Sequence, residues 1–145
     1  MLNFSICYKK CFVIRKYKFE KILQQCVNAV NDEFKIKKNL FFDVVIISIH
    51  KIKILNFKYR KNNCPTDVLT FALYDSKKSI KTDLLGEILL SPRFIKKNRI
   101  NSFNYDFANS FVHGVLHLLS YDHSDDTSYN KMLLIQKKIM RKIIL

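Results

Sequence analysis

Apolar residues at Phe19, Ile22, Leu23, Cys26, Val27 and Val30 recur at i, i+3, i+4, i+7, i+8 and i+11. That is the spacing of one helix face, and it predicts an amphipathic helix over about 17–31. Before it, residues 4–14 are rich in Ile, Phe, Val and Cys and predict a first strand, placed at a sheet edge by its lysines. Residues 43–50, Asp-Val-Val-Ile-Ile-Ser-Ile-His, carry β-branched residues on both parities and predict a central strand covered on both faces. Ile52, Leu55 and Tyr59 fit a short helix over 51–60, which the turn cluster Asn62-Asn63-Cys64-Pro65 ends. An alternating strand over 66–74, a polar loop over 75–83 and a strand over 84–90 follow, with Gly86 marking a bulge or a close approach.

Ser91-Pro92 is an N-cap followed by proline at the first helical position, and it opens a short basic helix to about residue 100. Asn101-Ser102 supplies the start of a second helix. Residues 124–128 form a loop and N-cap region before a last helix that Met132, Ile135, Ile139, Met140 and Ile143 line on one face. The order predicts a single α+β domain over residues 1–145, with a mixed sheet of about four strands and helices packed on it. No linker or domain boundary is visible.

Composition narrows the partners more than the fold. The chain is 48% hydrophobic with no low-complexity tract, and its formal charge is +14. Such a charge points to a polyanion, nucleic acid or an anionic membrane. Its source is 21 Lys against 5 Arg, beside 12 Asn and two Gly. A general drift toward Lys, Asn and Ile would give the same charge with no binding surface behind it. No apolar run approaches the ~20 residues of a membrane span, and Lys9, Lys10 and Arg15 interrupt any signal-peptide core. Cys7, Cys11, Cys26 and Cys64 form no CxxC pair and fit free thiols in a reducing compartment. A soluble, cytoplasmic protein with no membrane partner is expected.

The chemistry concentrates in residues 106–123, Asp-Phe-Ala-Asn-Ser-Phe-Val-His-Gly-Val-Leu-His-Leu-Leu-Ser-Tyr-Asp-His. Three of the four histidines, His113, His117 and His123, lie in its last eleven residues; His50 stands alone and suits a capping or surface role. On a helix, Asp106, Asn109, Ser110, His113, His117 and Ser120 share one polar stripe, and the apolar residues between them cover the rest of the girth. Histidines at i and i+4 reach one ion. His123 closes the site if the helix ends and the chain turns back through Ser120-Tyr121-Asp122. Three neutral nitrogen ligands with one position open to water describe a catalytic zinc site. The bland alternative is two surface histidines on a helix and a coincidental third. The spacing H-x3-H-x5-H also occurs in metzincin proteases, but these need a glutamate directly after the first histidine, where Gly114 stands.

Arg60 with Pro65-Thr-Asp-Val-Leu-Thr-Phe71, Leu85-Gly-Glu-Ile88 and His113-Gly-Val-Leu-His117-Leu-Leu-Ser-Tyr-Asp-His123 resemble, in order, the motifs of the YbeY family of bacterial rRNA-maturation endoribonucleases. The match runs from about Leu55 into the last helix, roughly two-thirds of the chain, and the histidine motif is its most specific part. The resemblance implies a zinc-dependent endoribonuclease specific for single strands. It would act in 3'-end maturation of small-subunit (16S) rRNA and in ribosome quality control, with RNA and small-subunit ribosomal components as partners.

Carried over by position, His113, His117 and His123 would hold one zinc ion per chain, and Arg60 and His113 would belong to the catalytic set. Glu87 would be an acidic residue in the same cleft, where the family usually has aspartate. Ser120 stands for a glycine and Gln136 for a common glutamate. Asp122 would orient a ligand histidine or cap a turn, and Thr66 and Asp67 either join the cleft or start a strand. Two rival functions remain at this stage: a non-catalytic RNA- or ribosome-binding protein with a structural zinc, and a metal-dependent hydrolase of peptides or small molecules.

Overall fold

In a computed structural model that describes residues 1–9, 16–73, 83–121 and 125–145, four strands form one mixed sheet. They are β1 (Leu2–Tyr8), β2 (Leu40–Ile46), β3 (Val68–Ala72) and β4 (Leu84–Leu90), in the spatial order β1-β2-β4-β3. The pairs β1·β2 and β2·β4 are parallel and β3·β4 is antiparallel. The helices are α1 (Lys16–Phe34), α2 (Ile49–Arg60), α3 (Pro92–Asn98), α4 (Phe103–Leu118) and α5 (Asp126–Met140). The expected α+β architecture with a four-stranded mixed sheet is present, and β1 is an edge strand as its lysines implied.

The boundaries moved for identifiable reasons. β1 begins at Leu2, ahead of the expected residue 4, because its N-terminal end pairs with Leu40; residues 10–14 of the expected strand lie outside the described residues, as does most of the 75–83 loop. β2 ends at Ile46 rather than His50 because Ser48 stops it: the Ser48 hydroxyl accepts the Lys51 N–H and caps α2. His50 then falls in the first turn of α2, exposed to solvent.

β2 is central, yet it is not covered evenly on both faces. Phe42, Val44 and Ile46 are buried, whereas Phe41 and Asp43 are exposed. One face of the sheet carries the main core. There Phe42, Val44, Ile88 and Leu90 pack beneath α1, α4 and α5, with Leu23, Val27, Phe107, Phe111, Val115 and Ile139. Among the described residues, the other face is covered where α2 lies, through Ile47, Ile52, Leu69 and Leu89 with Val45, Leu55 and Phe71 around them. Burying each large side chain contributes about 1.5–3 kcal/mol, so the α4 face dominates the stability.

Nine of the sixteen residues of α4 are buried, which makes it the hub of the core. Its contact with the sheet is close because of Gly114. A Cβ there would come within 3.0 Å of Ile88 Cγ2 and Thr70 Oγ1. The flagged Gly86 is a close approach and sits at a bulge. Two residue steps on β2 (Phe41 to Asp43) face three on β4 (Leu84 to Glu87), and a Cβ on Gly86 would fall on the Phe71 carbonyl.

Candidate active site

The polar stripe of α4 opens onto a cavity of about 760 Å3. Its other walls are the C-terminal end of α2, the segment 66–72 that includes β3, and one face of α5. Four parts of the chain, separated by up to 80 residues, therefore bring Arg60, Asp67, Asn109, Ser110, His113, His117 and Gln136 around one space.

Ser102 starts α4 by accepting the Tyr105 N–H, the expected cap. Asp106, first on the stripe, does not line this cavity. It accepts the N–H groups of Ile100 and Asn101 and the Asn101 amide, and so clamps the turn between α3 and α4. Burial opposes its charge, but the Asn101 and Ile100 donors and the nearby Arg99 outweigh that and lower its pKa. Ser110 donates to Asp67 Oδ2 at 2.6 Å. Thr66 Oγ1 donates to the other carboxylate oxygen at 3.0 Å, and the Asp67 carbonyl accepts from Ser91 N–H. Asp67 thus lines the cavity while it ties the start of β3 to α3 and α4. The Ser91 hydroxyl makes no cap; its oxygen is buried without a hydrogen-bond partner among the described residues.

His113 and His117 are both partly buried, with ring centroids 4.7 Å apart and planes at 80°. Their Nε2 atoms lie 3.1 Å apart. Two nitrogens bound at ~2.0–2.1 Å to one tetrahedral zinc would stand ~3.4 Å apart. The pair as it stands therefore fits a shared cation with small adjustment. Among the described residues no third His, Cys, Asp or Glu joins the two rings.

His123 and Asp122 lie outside the described residues. The helix does end where the expected site requires it to. Ser120 takes a left-handed conformation at φ 66°, Ser120 N–H bonds to the His117 carbonyl, and Tyr121 N–H bonds to that of Leu116. This is a Schellman ending with serine where glycine is the usual residue. Tyr121 then packs on Phe34. Two residues, at most about 7 Å of chain, lead from Tyr121 to His123.

Arg60 is the last residue of α2, exposed, and its Nη2 donates to the Thr70 carbonyl on β3 at 3.2 Å. That bond holds the guanidinium in the cavity wall. Lys61, left-handed at φ 59°, ends the helix behind it. Asn56, a buried polar residue on the inner side of α2, donates to the Cys64 carbonyl at 2.7 Å and braces the loop toward β3. The sequence reading missed Asn56; its signal was a polar residue in the buried stripe Ile52, Asn56. Tyr129 and Leu133 of α5 also line the cavity without any sequence signal.

Glu87 requires a correction. It is exposed and pairs across the sheet with Phe71 and Asp43. Residues of its parity, Leu89 and Phe71, belong to the α2 face, whereas its neighbour Ile88 lies under Gly114 of α4. Strand alternation therefore turns Glu87 away from the histidines, and it does not line the cavity. The same packing explains Gly114. That position faces the sheet, so a protease-type glutamate after the first histidine has no room.

The chain matches the family model described as Endoribonuclease YbeY over residues 6–144. A protein of that name from Mycoplasmoides gallisepticum is 34% identical over 128 residues, covering 86% of this chain and 76% of its own length. One from Syntrophomonas wolfei is 33% identical and covers 88% and 91%, and one from Buchnera aphidicola is 32% identical and covers 97% and 88%. The solution structure of TM1509 from Thermotoga maritima superimposes with a TM-score of 0.64 at 27% identity, over 98% of this chain and 88% of that one. With the motifs, the fold and nearly the whole length in agreement, this chain belongs to the Endoribonuclease YbeY family.

Proposed function

We propose that this protein is a hydrolytic endoribonuclease that cuts single-stranded RNA. It would use one zinc ion held by His113, His117 and His123, and work in the cytoplasm on the 3' end of small-subunit rRNA and in ribosome quality control. The observation that carries the metal-dependent reading is the facing pair of Nε2 atoms, 3.1 Å apart, on a cavity wall shared with Arg60. When bound, the ion would supply Lewis-acid polarisation of a phosphoryl oxygen and an activated water.

The chain's own groups do the rest. The cavity, about 760 Å3, is wide enough for a nucleotide unit of an unpaired strand. Arg60, fixed against Thr70, presents a planar fork that suits two phosphoryl oxygens. Its positive charge offsets the negative charge that builds on them as the bond breaks. The edge of β3 and the Asp67–Ser110 pair shape the opposite wall and add no positive charge. Family membership supports RNA as the substrate, since the named relatives are endoribonucleases. Ribosomal small-subunit components are the partners this reading implies.

The test combines metal analysis with cleavage of a single-stranded RNA. Purified protein should hold about one zinc per chain, and His117→Ala should lose stoichiometric zinc and cleavage together. Full zinc occupancy in that variant would show the site to be elsewhere. Zinc with RNA binding but no cleavage by the wild type would leave a binding protein with a structural ion.

A further inference from the structure

Behind His113 lies a polar relay that the catalytic reading does not use. Gln136 of α5 is a buried polar residue, 6% exposed, inserted between two positions of α4. Its Nε2 donates to the Asn109 backbone carbonyl at 3.2 Å and to Asn109 Oδ1 at 2.8 Å. Its Oε1 lies 3.2 Å from His113 Nδ1. Asn109 and His113 are one turn apart on α4, so the relay leaves that helix, crosses α5 and returns.

The chemistry of the three groups leaves one arrangement. A backbone carbonyl can only accept, so the Gln136 amide nitrogen must be the atom that faces Asn109. The amide oxygen is then turned to His113, and it too can only accept. His113 Nδ1 must therefore carry the proton. In the neutral ring the Nε2 then has a lone pair, and it is this atom that lies 3.1 Å from His117 Nε2 at the cavity. Free neutral histidine in water favours the opposite tautomer, so the protein has to impose this one. Reversing the amide would make His113 Nδ1 the acceptor and leave acceptors face to face at Asn109, where the backbone carbonyl cannot adapt, at a cost of about 1–3 kcal/mol for each unmet buried group.

We propose that Asn109 and Gln136 are positioning residues that lock His113 as the Nδ1–H tautomer and aim its Nε2 lone pair into the site. Gln136 does so with a neutral oxygen. The ring is thus oriented with no added negative charge beside it. The consequence for metal affinity rests on the function proposed above; the tautomer itself does not.

Two-bond 1H–15N correlation spectra of the metal-free protein in mildly alkaline buffer read the tautomer directly. His113 should show a protonated Nδ1 and an unprotonated Nε2. In Gln136→Leu the preference should shift toward Nε2–H, and cobalt or zinc affinity should fall about 10–100-fold, the usual loss when a group behind a ligand is removed. Gln136→Glu keeps an acceptor oxygen toward His113 and should keep the Nδ1–H tautomer even though it loses both bonds to Asn109 and with them stability, which separates positioning from general damage to the fold. An Nε2–H tautomer in the wild type overturns the relay without any variant. So does a folded Gln136→Leu with unchanged tautomer and affinity. A correct wild-type tautomer in a protein that cuts no RNA would uphold the relay and remove the proposed activity instead.

Discussion

At the scale of single residues, Arg60 separates an enzyme from a binding protein. If its guanidinium meets charge that develops only as the phosphodiester breaks, Arg60→Ala should slow single-turnover cleavage by roughly 10²–10³. Affinity for the same RNA should change far less, because one phosphate contact is lost from many. Arg60→Lys should restore little of the rate, since an ammonium cannot reproduce the fork or its geometry against Thr70. Equal losses of rate and affinity would reduce Arg60 to a binding residue. Ser120 makes a second residue-level case. A side chain at φ 66° costs about 1–2 kcal/mol relative to glycine, part of which is recovered from the looser unfolded glycine chain. Ser120→Gly should therefore stabilise the protein by about 1 kcal/mol in urea or guanidinium unfolding. A destabilised variant would show that the hydroxyl makes a contact worth more than the strain.

At the scale of elements, the junction of α3 and α4 depends on Asp106. Its carboxylate, not its spacing on the stripe, makes the clamp on Ile100 and Asn101. Because its folded pKa is lowered from the ordinary 3.8, its contribution is complete above about pH 4. The contribution then fades as pH falls through the lowered value. Asp106→Asn should cost about 1 kcal/mol at neutral pH. The stability curves of the two proteins should converge below pH 4, as followed by denaturant midpoints across pH. A constant gap down to acid pH would mean that the loss is steric and not tied to charge. The element also shows where periodicity misleads. Asp106 shares a stripe with the histidines in projection, but it lies two turns from His113 and faces the α3 turn rather than the cavity.

At the scale of the whole molecule, the charge of +14 becomes a testable property of the surface. α2 and its C-cap carry Lys51, Lys53, Lys58, Arg60 and Lys61 with no acidic residue among them, and they end at the cavity. If this surface holds RNA, counterion release should lower affinity at least tenfold between about 50 and 200 mM salt. A flat salt response would assign the charge to compositional drift. Among the described residues no helix is long and apolar enough to cross a membrane. The sequence by itself determined the helices, because a 3.6-residue apolar period survives in any environment, and it determined the histidine motif, because i and i+4 are neighbours on any helix. Turn chemistry was local at Ser102 and Asp125, which cap helices with their own side chains, but the strand expected over 43–50 hid the Ser48 cap and the Ser91 hydroxyl makes none. Only the tertiary structure decided which face of β4 meets α4. That choice turned Glu87 away from the cleft, and its cause is the close approach at Gly114, which no local pattern encodes. Only the tertiary structure, too, brought Gln136 against His113 and Arg60 against Thr70. Such contacts join residues far apart in the chain, and they depend on how whole helices settle on the sheet.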